Sequence, residues 1–129
     1  MSHTSRREFL ESAAAVAAAP RPRPAPFSPA GAPRRLGENL WVFEDTCNVF
    51  VVKDGSRAVL IDFGSGKVLD HLAGMGIDKV DWILHTHHHR DQCQGDWKAV
   101  ERKIPIAVPA HEKHLFADAE NFWRNRRVY

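Results

Sequence analysis

Leu84-His85-Thr86-His87-His88-His89-Arg90-Asp91-Gln92-Cys93-Gln94-Gly95 is the stretch that decides how this 129-residue chain is read. Four of the eight histidines fall within five residues of it. The run Val80-Asp81-Trp82-Ile83-Leu84 leads into it as a strand, so the cluster opens the loop beyond a strand end, where reactive groups usually sit. In extended backbone, residues two apart point the same way. His87, His89 and Asp91 then project together, with His85 able to join them. His88 and Arg90 face the opposite way, which leaves His88 exposed or supporting the loop from behind. Two imidazoles and one carboxylate are ligand types that suit Zn²⁺, and also Fe and Mn. Three protein ligands leave coordination positions open for water, the mark of a catalytic rather than a structural site. The metal-ligating candidates are His87, His89 and Asp91, and Asp91 is also the catalytic candidate.

Working outward, the N-terminal side is strand-rich. Leu40 to Phe43 and Asn48 to Lys53 are apolar β-type runs, and Asp54-Gly55 offers a tight turn into Ala58-Val59-Leu60-Ile61. Val68, Leu69, Leu72 and Met75 then take helical spacing, closed by Gly74 and Gly76. Beyond the histidines, Trp97 to Arg102 reads as a helix, Pro105 to Val108 as a short strand and Glu112 to Asn121 as a second helix. Strands first and then alternating helix and strand give an α/β (α+β) class, a sheet with helices packed outside it. Trp41, Trp82, Trp97 and Trp123 are expected in or at the edge of the core. Cys47 and Cys93 are too few for a disulfide framework and are read as unpaired, partly buried thiols.

The N-terminal region is of another kind. Residues 1–35 hold six arginines against Glu8 and Glu11, whereas residues 36–129 hold twelve basic and fourteen acidic side chains. The basic character belongs to the leader, and the slightly acidic remainder gives no footing for nucleic acid. No apolar run reaches the ~20 residues of a membrane span. Residues 20–35 are dense in proline and read as an extended linker.

Two resemblances follow from these residues. Arg6-Arg7-Glu8-Phe9-Leu10, ahead of an alanine-rich run ending Ala17-Ala18-Ala19, is similar to a twin-arginine signal peptide over residues 1–19. It implies export to the periplasm or beyond by a route that carries folded proteins. Thr86-His87-His88-His89-Arg90-Asp91-Gln92, with Gly95 behind it and Leu60-Ile61-Asp62-Phe63-Gly64 upstream, resembles the Thr-His-x-His-x-Asp-His signature and the Leu-Ile-Asp-x-Gly element of the metallo-β-lactamase superfamily. The resemblance covers about residues 36–115. It implies the first half of an αββα sandwich, so residues 36–129 are expected to be the N-terminal part of a longer domain.

The family resemblance also implies roles. The positions of His87 and His89 hold a first zinc-type ion, that of Asp91 a second ion and the attacking water, and Asp62 supports the loop. The implied activity is hydrolysis of a small molecule with an ester, thioester, lactone, β-lactam or phosphoester bond. The alternative is a degenerate member that binds metal without catalysis. Gln92 departs from the signature, which has a final histidine there. A neutral amide oxygen is a poorer partner for zinc than an imidazole nitrogen, so the second site is the weaker one.

Overall fold

A computed structural model of the chain describes residues 31–125. The proposed signal peptide, residues 1–19, lies outside the described residues. Six strands form a single sheet in the order of the sequence: β1 (Arg34–Arg35), β2 (Leu40–Glu44), β3 (Asn48–Asp54), β4 (Arg57–Ile61), β5 (Lys79–Leu84) and β6 (Ile106–Ala107). β1 to β4 pair antiparallel, and β4–β5 and β5–β6 pair parallel. Arg34 and Arg35 were expected in the linker; they form the outermost strand, against Val42 and Trp41.

The β3–β4 hairpin closes through Gly55 and Ser56, one residue later than Asp54-Gly55, because Asp54 already pairs with Arg57. Gly55 takes φ 58°, the left-handed conformation such two-residue turns require. Between β4 and β5 the expected helix is instead two 3₁₀ turns, Lys67–His71 and Ala73–Met75. Left-handed Gly66 and Gly76 bracket the segment. After β5 come α1 (Arg90–Cys93) and α2 (Asp96–Glu101). The expected helix over 112–121 is broken into a 3₁₀ turn (Ala110–Glu112), α3 (Lys113–Ala117) and α4 (Ala119–Asn125), with non-helical Asp118 between the last two.

Strand alternation sorts the side chains. Phe43, Val49, Val51, Ala58, Leu60, Val80 and Ile83 turn to one face, where Val68, Leu69, Ile77 and Ala99 close over them as a single core. Phe50, Val52, Val59, Ile61, Trp82 and Leu84 turn to the other. There Val52, Trp82 and Leu84 remain 43%, 47% and 37% exposed. The bulge at Ala58/Val59 keeps the two strands in phase, with Val59 opposite Trp82. The tryptophans depart from expectation: Trp41 is half-buried, but Trp82 and Trp97 are exposed. Among the described residues no helix is long and apolar enough to cross a membrane.

Candidate metal centre at the ends of the parallel strands

Parallel pairing of β4 and β5 puts their carboxyl ends side by side, the end of an α/β sheet at which ligands bind. The chain leaves β4 at Asp62 and β5 at His85, so residues far apart in sequence meet there. The Asp62 N–H donates to the Leu84 carbonyl at 2.9 Å, and the His85 N–H to that of Ala107 at 2.9 Å. Asp62 is buried and sits at φ 59°, strained for a residue with a side chain. Its carboxylate accepts from the Thr86 N–H at 2.9 Å and from the Thr86 hydroxyl at 2.8 Å.

That hydroxyl decides the state of His87. Thr86 Oγ1 also lies 2.8 Å from His87 Nδ1. A hydroxyl has one proton and a carboxylate only accepts, so Thr86 donates to Asp62 and accepts from His87 Nδ1–H. The other ring nitrogen, His87 Nε2, faces His89 Nδ1 at 3.0 Å. Two nitrogens bound to one tetrahedral zinc, each at ~2.0–2.1 Å, lie about 3.3 Å apart. The observed pair falls close to that spacing, with His87 half-buried and His89 exposed. The chemistry of this pair fits a zinc-type ion.

The structure brings His87 and His89 together but leaves Asp91 outside the pair. Asp91 lies in helix α1, so the alternation of extended backbone stops at His89, which is extended at φ −115° and ψ 153°. Among the described residues no three His, Cys, Asp or Glu side chains form a metal cage. Asp91 is held by its neighbours: its carbonyl accepts from Thr46 Oγ1 at 2.7 Å, and its Oδ2 accepts from Gln92 Nε2 at 3.1 Å.

The remaining histidines of the cluster are structural. His85 is buried, with Nε2 2.9 Å and 3.0 Å from the two Asp96 oxygens, and its ring stacks on Phe116. His88 was expected exposed or supporting from behind; it is 3% exposed, held edge-on by Phe116 and Phe122. Its N–H donates to Glu112 Oε2 at 2.8 Å. Burial lowers the His88 pKa, opposed by the Glu112 carboxylate.

The frame beneath the loop is tight. Gly95 is buried with its N–H on the Gly64 carbonyl at 2.8 Å, and an added Cβ there would meet the Ser65 carbonyl carbon at 2.4 Å. Buried Asp45 holds the same corner, accepting from the Ser65 N–H at 2.9 Å and from its hydroxyl at 2.8 Å. Sequence reading passed over Asp45, Thr46, Asp96 and Glu112. Each reaches the loop from another element, and none belongs to a local pattern. Cys47 and Cys93 are free and half-buried, as expected. Burial, and then nearby carboxylates, push each thiol up to about 12. For Cys47 the carboxylates are those of Asp62, Asp91 and Asp45.

The family model of the metallo-β-lactamase superfamily matches residues 42–129. The chain belongs to that superfamily. Solved metallo-β-lactamases share the fold at low identity. DIM-1, in a crystal exposed to ceftazidime, is 17% identical with a TM-score of 0.59, over 70% of this chain and 48% of its own. FIM-1 from Pseudomonas aeruginosa, in a mono-zinc form, is 14% identical with a TM-score of 0.58, over 71% of this chain and 46% of its own. A Cronobacter sakazakii metallo-β-lactamase described by a HARLDQ motif is 16% identical with a TM-score of 0.50, over 59% of this chain and 34% of its own. The chain spans about half the length of the first two structures and a third of the last. No curated protein matches the sequence at a significant level. The six-stranded sheet with helices is the mixed α/β architecture expected of a metallo-β-lactamase chain.

Proposed function

We propose that the whole protein is a metal-dependent hydrolase that acts on a small molecule outside the cytoplasm, with His87 and His89 as ligands of a zinc-type ion. The observation that carries this reading is the relay from Asp62 through Thr86 to His87 Nδ1, which turns Nε2 toward His89 Nδ1 at 3.0 Å. A hydrogen-bonded partner behind a ligating histidine is the usual way such a ring is oriented. A bound metal of this type supplies an activated water and a Lewis acid for the scissile bond. The part left to the chain is positional. Asp62 and Thr86 hold the His87 ring, and Asp91 is the group to orient a water or take its proton. The bond is of the ester, thioester, lactone, β-lactam or phosphoester class, because fold and motif do not choose among them.

Elemental analysis of the whole protein tests the ligands. Wild type is expected to carry zinc and the His87→Ala/His89→Ala double variant to lose it; equal content in both refutes the assignment. Export rests on Arg6-Arg7 with Phe9-Leu10. Changing both arginines to lysine is expected to hold the precursor in the cytoplasm, and normal export of that variant by the same route would disprove a twin-arginine signal.

A further inference from the structure

We propose that Gln92 is a positioning residue for Asp91 rather than a metal ligand, and that the centre is therefore built for one tightly held ion. The proposal rests on the metallohydrolase reading above. It addresses what the side chain standing at the last position of the signature does in this chain.

The geometry separates the two ends of the amide. Nε2 faces Asp91 and donates to its Oδ2 at 3.1 Å. An amide nitrogen has no lone pair free for a cation, so the only atom of Gln92 able to ligate is Oε1. Turning the amide over would bring Oε1 against the Asp91 carboxylate, two acceptors face to face. Bringing Oε1 to the Asp91 side would therefore break the bond that joins the two residues.

Nor is Gln92 free to swing elsewhere. The residue is 9% exposed. Its own carbonyl accepts from the Phe63 N–H at 3.0 Å and the Gly64 N–H at 2.9 Å, which pins the backbone to the segment after β4. Asp91 is pinned on its other side by Thr46 Oγ1. Oε1 is buried and has no hydrogen-bond donor among the described residues. A buried carbonyl oxygen without a donor is costly, so a purely structural glutamine is a poor explanation of this site. Presenting the N–H to Asp91 gives the side chain a reason to be there. One carboxylate oxygen is engaged, and the other is left free of Gln92.

Cobalt titration of the whole, metal-stripped protein tests this, followed by the visible d–d absorption and by competition with a chelator. Wild type is expected to take one equivalent tightly and a second at least 10-fold more weakly. In Gln92→His, an imidazole replaces the amide, and the second equivalent is expected to tighten by about 10–100-fold while the first is little changed. Gln92→Glu, nearly the same shape but with no donor, serves if the histidine does not fold. It is expected to perturb the d–d spectrum of the first equivalent, because Asp91 loses its anchor and meets a like charge. Two equally tight equivalents in wild type would overturn the proposal, as would a first-equivalent spectrum unmoved by Gln92→Glu. A wild type that binds no cobalt at all would overturn the metallohydrolase reading itself, and this proposal with it.

Discussion

The two faces of the sheet are made of the same kinds of residue and are covered unequally. On one, Phe43, Val49, Val51, Leu60 and Ile83 are essentially sealed from solvent beneath the 3₁₀ turns and α2. On the other, Val52, Trp82 and Leu84 stay open among the described residues. Parallel strands are ordinarily covered on both sides, because their connections place layers on both faces. Trp82 and Leu84 lie on the parallel strand β5, and a contiguous apolar face of this kind marks a surface meant to be covered. The sealed face works as a scaffold that fixes where β4 and β5 end, and the centre is hung from those ends. A second layer over the open face is what parallel strands call for, and substitutions on the two faces test whether the protein has one.

The largest effects test the contrast directly. Leu60→Ala, in the sealed core, is expected to lower the stability of the whole protein by about 2–5 kcal/mol. Trp82→Ala on the open face is expected to cost a comparable ~3–5 kcal/mol there, because a covering layer would leave a cavity where the indole was. Chemical denaturation of the two variants measures both. A loss below about 1 kcal/mol for Trp82→Ala would mean that the face is solvated after all, and the contrast would be a permanent feature of the molecule.

A smaller effect sharpens how the sealed scaffold reaches the centre. Thr86→Val keeps the shape and removes the hydroxyl between Asp62 and His87. The fold rests on the sealed face, so the midpoint of thermal unfolding is expected to move little. The His87 ring loses its tautomer lock, and zinc affinity is expected to fall about 10–100-fold by chelator competition. Unchanged affinity would disconnect the relay from metal binding.

How much of this was legible in sequence follows from range. Strands β2 to β5 announce themselves through alternating or continuous apolar runs, and the histidine motif lies within one short loop. The short elements are not legible in sequence because tertiary contacts define them. The expected helix is instead two 3₁₀ turns that part at Leu72, between left-handed Gly66 and Gly76. His88 is buried by Phe116 and Phe122, which no local pattern places beside it. Asp91 lies in helix α1, beyond the extended backbone that ends at His89, so the two-residue alternation alone does not place its side chain. Asp45 and Asp96 carry out their roles only once the sheet has brought their elements to the loop.

The smallest effect tests how dry the edge of the sealed side is. Cys47 packs against that core, and its thiol is raised from 9.0 to about 12, first by burial and then by Asp62, Asp91 and Asp45. Burial disfavours the thiolate, and so does each nearby negative charge, so the causes act together. In the unfolded chain the thiol returns to its ordinary value. Below pH ~9 both states hold the proton, and the stabilisation from this group is fully present. Between pH ~9 and 12 the unfolded chain releases the proton while the folded one keeps it, so stability declines as pH rises through that window. The decline is expected to be slight, because Cys47 is only half-buried. The clearer readout is chemical, since the thiolate is the reacting form. In a Cys93→Ser background, which keeps a donor toward the His89 carbonyl, alkylation of Cys47 by iodoacetamide is expected to climb about tenfold per pH unit well past pH 9. A rate that levels off near pH 9 would show water reaching the thiol freely, and the sealed side would end short of the loop that carries Thr46 and its bond to Asp91.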